Sequence, residues 1–376
     1  MKLKYGMIGG GIGSLIGGMH RDAADATGRY ELVCGCFNSD ASRSRSTGMQ
    51  LGLDASRAYD KWEEMLDSET DLDAVVIVTP NHLHFGPAQA ALNRGIHVII
   101  DKPMTFSLDE SLILMKLVSE SNLVFAVTYT YAGYSIVDQM RELVASGAIG
   151  NIKKVFVEYL QGWMSEHADP DFKRHAGWRM DPSKSGISCA VADIGVHAFH
   201  LAEHVTGHKV TDVCAMLNSV VGSHVLDDDA SALIRFDNGA SGILVASQVA
   251  TGEGNHLRLR VYGDLAGLDW CRSNPDVAII KYPDASVKYL HRGMILESDP
   301  SASIESSESV KDAFASIYDR VADAIWSHKN GRYSSETRAK FPDVSDGHRG
   351  MLFIEAMVKS SNLNDSPKFV ALSAEL

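Results

Sequence analysis

The 376-residue sequence has no apolar run approaching the length of a membrane span, no long basic run, only 10 prolines and only five cysteines. A spanning helix needs about 20 consecutive apolar residues, so none is expected. The opening MKLKYGMIGG is too short and too broken by glycine for a secretory signal. A formal charge of −13, with lysine and arginine dispersed, argues against nucleic acid as a partner, because phosphate binding needs concentrated cations. Cys34, Cys36, Cys189, Cys214 and Cys271 lack paired zinc spacing, and their odd number suits reduced, mostly packed thiols in a cytoplasmic protein. Cys34 and Cys36 alternate on one predicted strand and are read as core. What remains is about 45% hydrophobic and 22% charged, enough apolar surface for a large core divided between two domains.

The elements alternate at first. Residues 3–9 read as a short apolar strand, followed by a glycine loop, a helix through Ala26 and a second strand, YELVCGCF, from Tyr30 to Phe37. A helical DKWEEMLDSE precedes DAVVIVTP, a nearly continuous apolar run of the kind a buried parallel strand shows. AQAALNRGIHVIIDKP then gives a helix closed by Gly95 and another strand. A helix from Leu108 to Ser121 and a strand from Val124 to Tyr129 complete a doubly wound parallel sheet by residue 129. From Asn151 the strands become longer and alternating: KKVFVEYLQGW, KVTDVCAMLNSV, ASALIRFDNGASGILVASQV with a turn at Asp237-Asn238-Gly239, and HLRLRVYGD. These predict a large, open, mostly antiparallel sheet. Pro300 to Ser309 reads as a polar loop, and helices are expected over Val310 to His328 and in DGHRGMLFIEAMVKSSN. The fold class is therefore α/β, with residues 1–129 as one domain and 130–376 as a second α/β domain.

Tyr5 to Asp22 carries seven glycines in eighteen residues where a helix begins. Gly9, Gly11, Ile12 and Gly13 lie between strand and helix, where bare backbone lets a pyrophosphate approach amides at a helix N-terminus. The third glycine of the dinucleotide pattern is replaced by Ser14, so the loop alone also fits a tight turn without a ligand. After the second strand, Asn38 and Ser39 stand where an acid usually holds the ribose hydroxyls. Asp40 comes slightly late and equally suits a helix cap, and Arg43 is placed to meet a 2′-phosphate. NAD is the expected cofactor, with NADP the alternative.

VTPNHLH, with Thr79, Pro80, Asn81 and His84, ends one parallel strand at the sheet edge where such folds bind ligands, and IIDKPM, with Asp101 and Lys102, ends the next. Lys102 precedes a proline, which biases its backbone toward extended geometry and so fixes where its ammonium points, a placement suited to stabilising a developing alkoxide. In SGISCAVADIGVHAFHLAEH, Asp193 and His197 stand four apart on one helix face, and histidine is the side chain best suited to exchanging a proton near neutral pH.

GGGIG, TPNHLH, DKPM and DIGVH, in that order, resemble the motifs of the Gfo/Idh/MocA oxidoreductases, the group of glucose–fructose oxidoreductase and the inositol dehydrogenases. The resemblance covers essentially the whole chain. It implies an N-terminal Rossmann domain, a C-terminal domain whose open sheet mediates oligomers, and hydride exchange between a nicotinamide and a sugar or cyclitol. It makes Lys102 the lysine of the family's EKP motif, with Asp101 in place of the usual glutamate, and Asp193 and His197 the substrate-side acid and histidine. YTYAGY (Tyr129 to Tyr134), YLQGW (Tyr159 to Trp163) and GWRMDP (Gly177 to Pro182) are most similar to dehydrogenases of pyranosides such as levoglucosan.

Tyr131, Trp163, Arg179 and His348 are the further substrate-side candidates. Core packing for the tyrosine, an interface for the tryptophan, a surface ion pair for the arginine and a solvent-facing cap for the histidine are their plainer readings. His197, His200, His204 and His208 are spaced as zinc ligands sometimes are, but the ladder spans about three helical turns, whereas a catalytic zinc needs three converging ligands. No metal is expected. LDDDAS, with Asp227 to Asp229, reads as a solvated loop. The expected partners are a small sugar or cyclitol and further copies of the chain, as a homodimer or homotetramer. Two other functions are compatible with the fold: a dinucleotide-sensing regulator, and a glycoside-cleaving enzyme that oxidises transiently with retained NAD.

Overall fold

The first apolar runs pair into one parallel sheet in the order β2-β1-β3-β4-β5: β1 (Leu3–Gly9), β2 (Tyr30–Cys36), β3 (Ala74–Val78), β4 (His97–Ile100) and β5 (Phe125–Val127). The computed structural model describes residues 2–168, 177–299, 307–362 and 367–373, so most of the expected loop at 300–309 lies outside the described residues. Helices α1 (Leu15–Thr27), α2 (Ala41–Gln50), α3 (Trp62–Ser68), α4 (Phe85–Asn93) and α5 (Leu108–Ser121) separate the strands. The bounds of α5 coincide with the expectation because its ends are chemically marked: Ser107 and Glu110 form a reciprocal capping box, and Asn122 closes the helix with φ 54°. The strand order reverses between β1 and β3, which makes their carboxyl ends a crevice for ligands.

The chain divides into two compact units, Met1–Gly133 with Val310–His348, and Tyr134–Ser309 with Arg349–Leu376. A linear boundary at residue 129 assigns the helix Val310–Lys329 to the C-terminal half. Its apolar face instead completes the core of the first unit. Phe314, Ile317, Tyr318 and Val321 pack with Tyr5, Ala23, Ala24 and Tyr30, and the Tyr30 hydroxyl donates to the Tyr318 carbonyl at 2.8 Å.

In the second unit, ten strands form the sheet β14-β13-β12-β11-β10-β6-β9-β8-β7-β15. Their ranges are β6 (Ile152–Leu160), β7 (Val210–Asn218), β8 (Asp229–Phe236), β9 (Ser241–Ser247), β10 (His256–Gly263), β11 (Gly267–Cys271), β12 (Val277–Lys281), β13 (Val287–His291), β14 (Met294–Leu296) and β15 (Val370–Ala371). The pairing is antiparallel except between β6 and β9. Alternation separates the two faces. Ala232, Leu244, Val157, Leu259, Trp270 and Ala278 form a buried row, and the neighbouring row on the other face, Leu233, Ile243, Phe156, Arg260, Asp269 and Ile279, begins with a leucine that is 50% exposed.

LDDDAS is not a solvated loop. The Asp227 carboxylate accepts hydrogen bonds from the amides of Cys189 (2.9 Å) and Val191 (3.0 Å) and from the Ser188 hydroxyl (3.0 Å). Asp228, fully buried, accepts from the amides of Val220 and Val221 and from His224. Backbone donors at the start of one helix and in one loop capture both carboxylates. Cys34 and Cys36 are buried, and all five cysteines are free. No helix among the described residues is long and apolar enough to cross a membrane.

Burial holds three imidazoles neutral: His20 is lowered to about 4, and His97 and His200 each to about 3, from an ordinary 6.5. The unfolded chain therefore binds more protons than the folded one below pH 6.5. Their contribution to stability is complete above that value and is lost as pH falls toward the folded values. Lowering the pH from 7 to 5.5 should cost about 1 kcal/mol per histidine. His200→Asn should flatten the pH dependence of urea unfolding whatever its effect on absolute stability, and an unchanged slope would contradict this.

Candidate functional site

The glycine-rich turn answers to close packing as well as to a ligand. Gly9, Gly10 and Gly13 have φ of 80°, 65° and 89°. A Cβ on Gly11 would stand 3.0 Å from the Phe37 carbonyl oxygen, and one on Gly17 would stand 2.4 Å from the Cα of Gly10. Gly17 thus brings helix and loop together, the task the dinucleotide pattern gives to its third glycine. Ser14, at that third position, caps α1, its Oγ accepting from the Gly17 amide at 3.1 Å. The amides of Leu15 and Ile16 are left for an anion in front of the helix. Beside Gly9, the Thr79 hydroxyl is buried without a hydrogen-bond partner among the described residues. Dipole, bare backbone and a waiting hydroxyl fit a dinucleotide phosphate bridge.

At the end of β2, Asn38 Oδ1 accepts from the Asp40 amide at 2.9 Å. Asp40 caps α2, its Oδ1 taking the Ser42 hydroxyl (2.6 Å) and the Arg43 amide (2.9 Å), bonds that hold its carboxyl below the usual range. Ser39 and Arg43 are exposed. The cap reading of Asp40 is thus realised, and its Oδ2 carries none of these bonds.

The loops after β3 and β4 are tied together. His84, 1% exposed, bridges the Thr79 carbonyl (2.8 Å) and the Pro103 carbonyl (2.9 Å) through its two ring nitrogens, and burial lowers its pKa. It therefore straps two ligand-edge loops and has no ring nitrogen to offer a cofactor. Asn81 is buried in the short helix Asn81–Leu83 that follows Pro80. Asp101 likewise acts on the backbone, its Oδ1 accepting from the Lys102 amide at 2.9 Å and the Thr128 hydroxyl at 3.0 Å. Lys102 is half-buried at this turn, ahead of Pro103. Tyr131 is buried in the turn Thr130–Gly133, and His348 Nδ1 hydrogen-bonds the Ser111 hydroxyl at 2.8 Å, which places it on the fold and away from the solvent-facing cap.

The second unit gathers another set. Val191–Gly195 is a π-helical turn leading into the helix Val196–Thr206, so Asp193 and His197 stand on either side of a change of helical pitch, a feature frequent at functional sites. Asp193 Oδ2 accepts from Gln248 Nε2 at 2.7 Å, and its Oδ1 is 3.2 Å from Arg179 Nε. The Arg179 guanidinium lies over the Trp178 ring at 4.7 Å. Trp163 Nε1 donates to Gln161 Oε1 at 2.8 Å, and the Tyr159 ring lies 6.2 Å from the His197 ring. Thus Asp193, Arg179, Trp163 and His197 belong to one cluster. Gln161 and Gln248 join it because β6 and β9 run parallel with Leu160 beside Ser247. Strand pairing alone brings them together, and one sequence does not display it. His200 and His204 stack at 5.4 Å, while His208, past the helix end at Gly207, pairs with Asp237 at 2.9 Å. No group of three or more His, Cys, Asp or Glu is arranged as metal ligands among the described residues.

Residues 3–129 match the family described as an oxidoreductase family with an NAD-binding Rossmann fold, and residues 137–269 match the GFO/IDH/MocA C-terminal domain. The chain is 30% identical over 373 residues to the uncharacterized oxidoreductase YfiI of Bacillus subtilis, covering 96% of this chain and 95% of that one. It is similar to an inositol dehydrogenase homolog from Azotobacter vinelandii solved with NAD+, with 30% identity, a TM-score of 0.90 and coverage of 99% and 97% of the two chains. Levoglucosan dehydrogenase of Pseudarthrobacter phenanthrenivorans is 28% identical over 243 residues, 57% of this chain and 60% of that one. A dinucleotide loop at a parallel-sheet switch point, a lysine at the next strand end, and an aspartate–histidine pair against the central strands of an open sheet thus meet matches that span both halves, and the chain belongs to the Gfo/Idh/MocA family of NAD-binding oxidoreductases.

Proposed function

We propose that the chain oxidises a secondary alcohol of a sugar or cyclitol, or reduces the corresponding ketone. The observation that supports this most is the Asp193 cluster, in which an acid held by Gln248 and Arg179 and a histidine stand on either side of a pitch change, with two tryptophans in the same cluster. Indole faces and directed polar groups suit a polyhydroxylated ring. A bound nicotinamide dinucleotide would supply the hydride acceptor or donor. Gly9, Gly11, Ile12, Gly13 and Thr79 would hold its phosphates, and His84, Pro80, Asn81 and Asp101 would keep the neighbouring turns in place. His197 accepts the substrate hydroxyl proton, Lys102 stabilises the oxygen's negative charge, and Asp193 orients the imidazole or a neighbouring hydroxyl. Trp163 and Arg179 line the sugar side, with Tyr131 and His348 supporting the lysine side. The family relatives named above, an inositol dehydrogenase homolog and a levoglucosan dehydrogenase, favour cyclitols and anhydrosugars as the first substrates to try. A panel of inositols, aldoses and anhydrosugars with both cofactors, followed by nicotinamide absorbance, tests the reading. Reduction with none of them would reject it.

The preferred cofactor is NAD. Asp40 keeps an oxygen for a ribose hydroxyl, and Arg43 is the single arginine of the capping turn of α2. Arg43→Ala should weaken NADP selectively and leave NAD nearly unchanged, and a catalytic preference of the parent for NADP would overturn the assignment.

The working form is a dimer or tetramer assembled through the open sheet. Met216 and Leu233, each about half exposed, and the partly exposed Phe156, Ile243 and Ile279 are costly to leave in water. Light scattering at micromolar concentration should find an oligomer, with Leu233→Asp shifting it toward smaller species. A monomeric parent would defeat this.

A further inference from the structure

We infer that Gln248 is a positioning residue that keeps the Asp193 carboxylate ionised and aimed into the site; this rests on the role proposed for Asp193 above. Gln248 is fully buried immediately after β9, its backbone amide donating to the Asp228 carbonyl at 2.8 Å and its carbonyl accepting from the Met164 amide at 2.9 Å. Its side-chain amide is used at both ends. Oε1 accepts from the Cys189 thiol at 3.5 Å, while Nε2 donates to Asp193 Oδ2 at 2.7 Å and approaches Gln161 Oε1 at 3.3 Å. The two neighbours fix the amide's orientation. A thiol facing Oε1 must donate, a carboxylate facing Nε2 must accept, and a flipped amide would turn both contacts repulsive.

Burial raises the Cys189 pKa, so the sulfur keeps its proton and remains a donor. Gln161 has its own orientation set in turn, its Oε1 receiving the Trp163 indole and its Nε2 donating to Asn255 at 2.6 Å. Gln161 Oε1 therefore accepts from both Trp163 and Gln248, and Gln248 Nε2 divides its donors between Gln161 and Asp193. Gln248 donates a neutral N–H to the Asp193 carboxylate, which favours the ionised form without adding a charge. Among the described residues, the titratable and charged groups around Asp193 include Arg179 from the preceding turn, the Cys189 thiol and His197 on its own segment, and Asp227 and Asp228 behind the start of that segment. Arg179 and the Gln248 amide both favour ionisation, the first by charge and the second by a directed neutral donor.

Replacing the donor by an acid should make Asp193 and residue 248 share a proton. An acid whose pKa rises is protonated at higher pH, so a reaction that needs Asp193 ionised should lose activity earlier as pH falls. In Gln248→Glu, the acidic limb of kcat/KM should move up by about 1 pH unit or more relative to the parent. Gln248→Met, similar in length but without a donor, should move it in the same direction by less. NADH affinity, read by nicotinamide fluorescence, should stay within about twofold in both. A limb that does not move, with activity falling equally at every pH, overturns the inference, because a purely structural defect would look like that. If Gln248→Glu does not fold, the Gln248→Met profile decides by the same criterion. Asp193→Asn separates the two levels of the argument. Full activity in that variant rejects the role given to Asp193, whereas its inactivation together with an unmoved limb in the Gln248 variants rejects only the part given to Gln248.

Discussion

Lys102→Ala and His197→Ala should each lower turnover by a factor on the order of 10² or more, the scale of a positioned acid–base or charge-stabilising group, while changing cofactor affinity little. Removing a hydroxyl proton at neutral pH needs an acceptor held close to it, and the oxygen left behind needs a cation or donor. Lys102 sits on a turn whose backbone is fixed from two sides, by the Asp101 carboxylate accepting its amide and by the His84 strap to Pro103. His197, 9% exposed, is carried by a helix whose preceding π-turn is anchored through Asp227. Both side chains therefore leave rigid supports, which is what proton transfer over a hydrogen-bond distance requires. Lys102→Arg should not restore turnover, since a planar guanidinium does not substitute for a compact ammonium. Steady-state kinetics with NADH titrations beside them provide the check. Near-normal turnover in both alanine variants, with an active substrate in hand, would place the chemistry on other residues.

Two adjacent glycines in α1 should respond in opposite directions. A Cβ at Gly17 would meet the Gly10 Cα and carbonyl oxygen at 2.4 Å, closer than real contacts allow and against backbone that cannot rotate away, whereas a Cβ at Gly18 meets nothing within 4 Å. Gly17→Ala should cost at least about 1–3 kcal/mol of stability, the range for overpacking. It should also weaken NADH by an order of magnitude, because the helix N-terminus must retreat from the loop. Gly18→Ala replaces a flexible helical residue in open space and should stabilise by roughly 0.5–1 kcal/mol with NADH binding intact. Thermal unfolding and NADH titration of the pair settle the matter. Equal behaviour of the two variants would mean that the Gly10–Gly17 contact does not position the loop.

The parts legible in the sequence were those with local chemistry. The strand, glycine loop and helix at the N-terminus, the strand ends bearing VTPNHLH and IIDKPM, and the boxed helix Leu108–Ser121 all carry their signals within a few residues. Ser14 departs from the glycine pattern because the close approach of helix and loop lies one turn along, where Gly17 meets Gly10. The burial of Asp227 and Asp228 is hidden in the sequence for a related reason. A run of acids resembles solvated surface unless the backbone donors that need it are known, and those donors lie near 189 and 220. Helix Val310–Lys329 was visible as a helix, but its place in the first unit depends on Tyr318 meeting Tyr30 and His20, contacts between distant stretches of chain. The short strands β11 to β14 carry little periodicity. The Gln161–Gln248 contact arises from parallel strand pairing, which no single stretch announces.

In the proposed reaction a carbon-bound hydrogen of a polyol leaves for the nicotinamide as its hydroxyl proton leaves for the protein. A polyol that supports turnover, deuterated at the reacting carbon, should be given to the parent enzyme with NAD and the nucleotide product examined by mass spectrometry. The account predicts reduced nucleotide accumulating with one deuterium per product formed. Product formation with the nucleotide still oxidised and free of label would contradict it, and would point to transient oxidation with a retained cofactor.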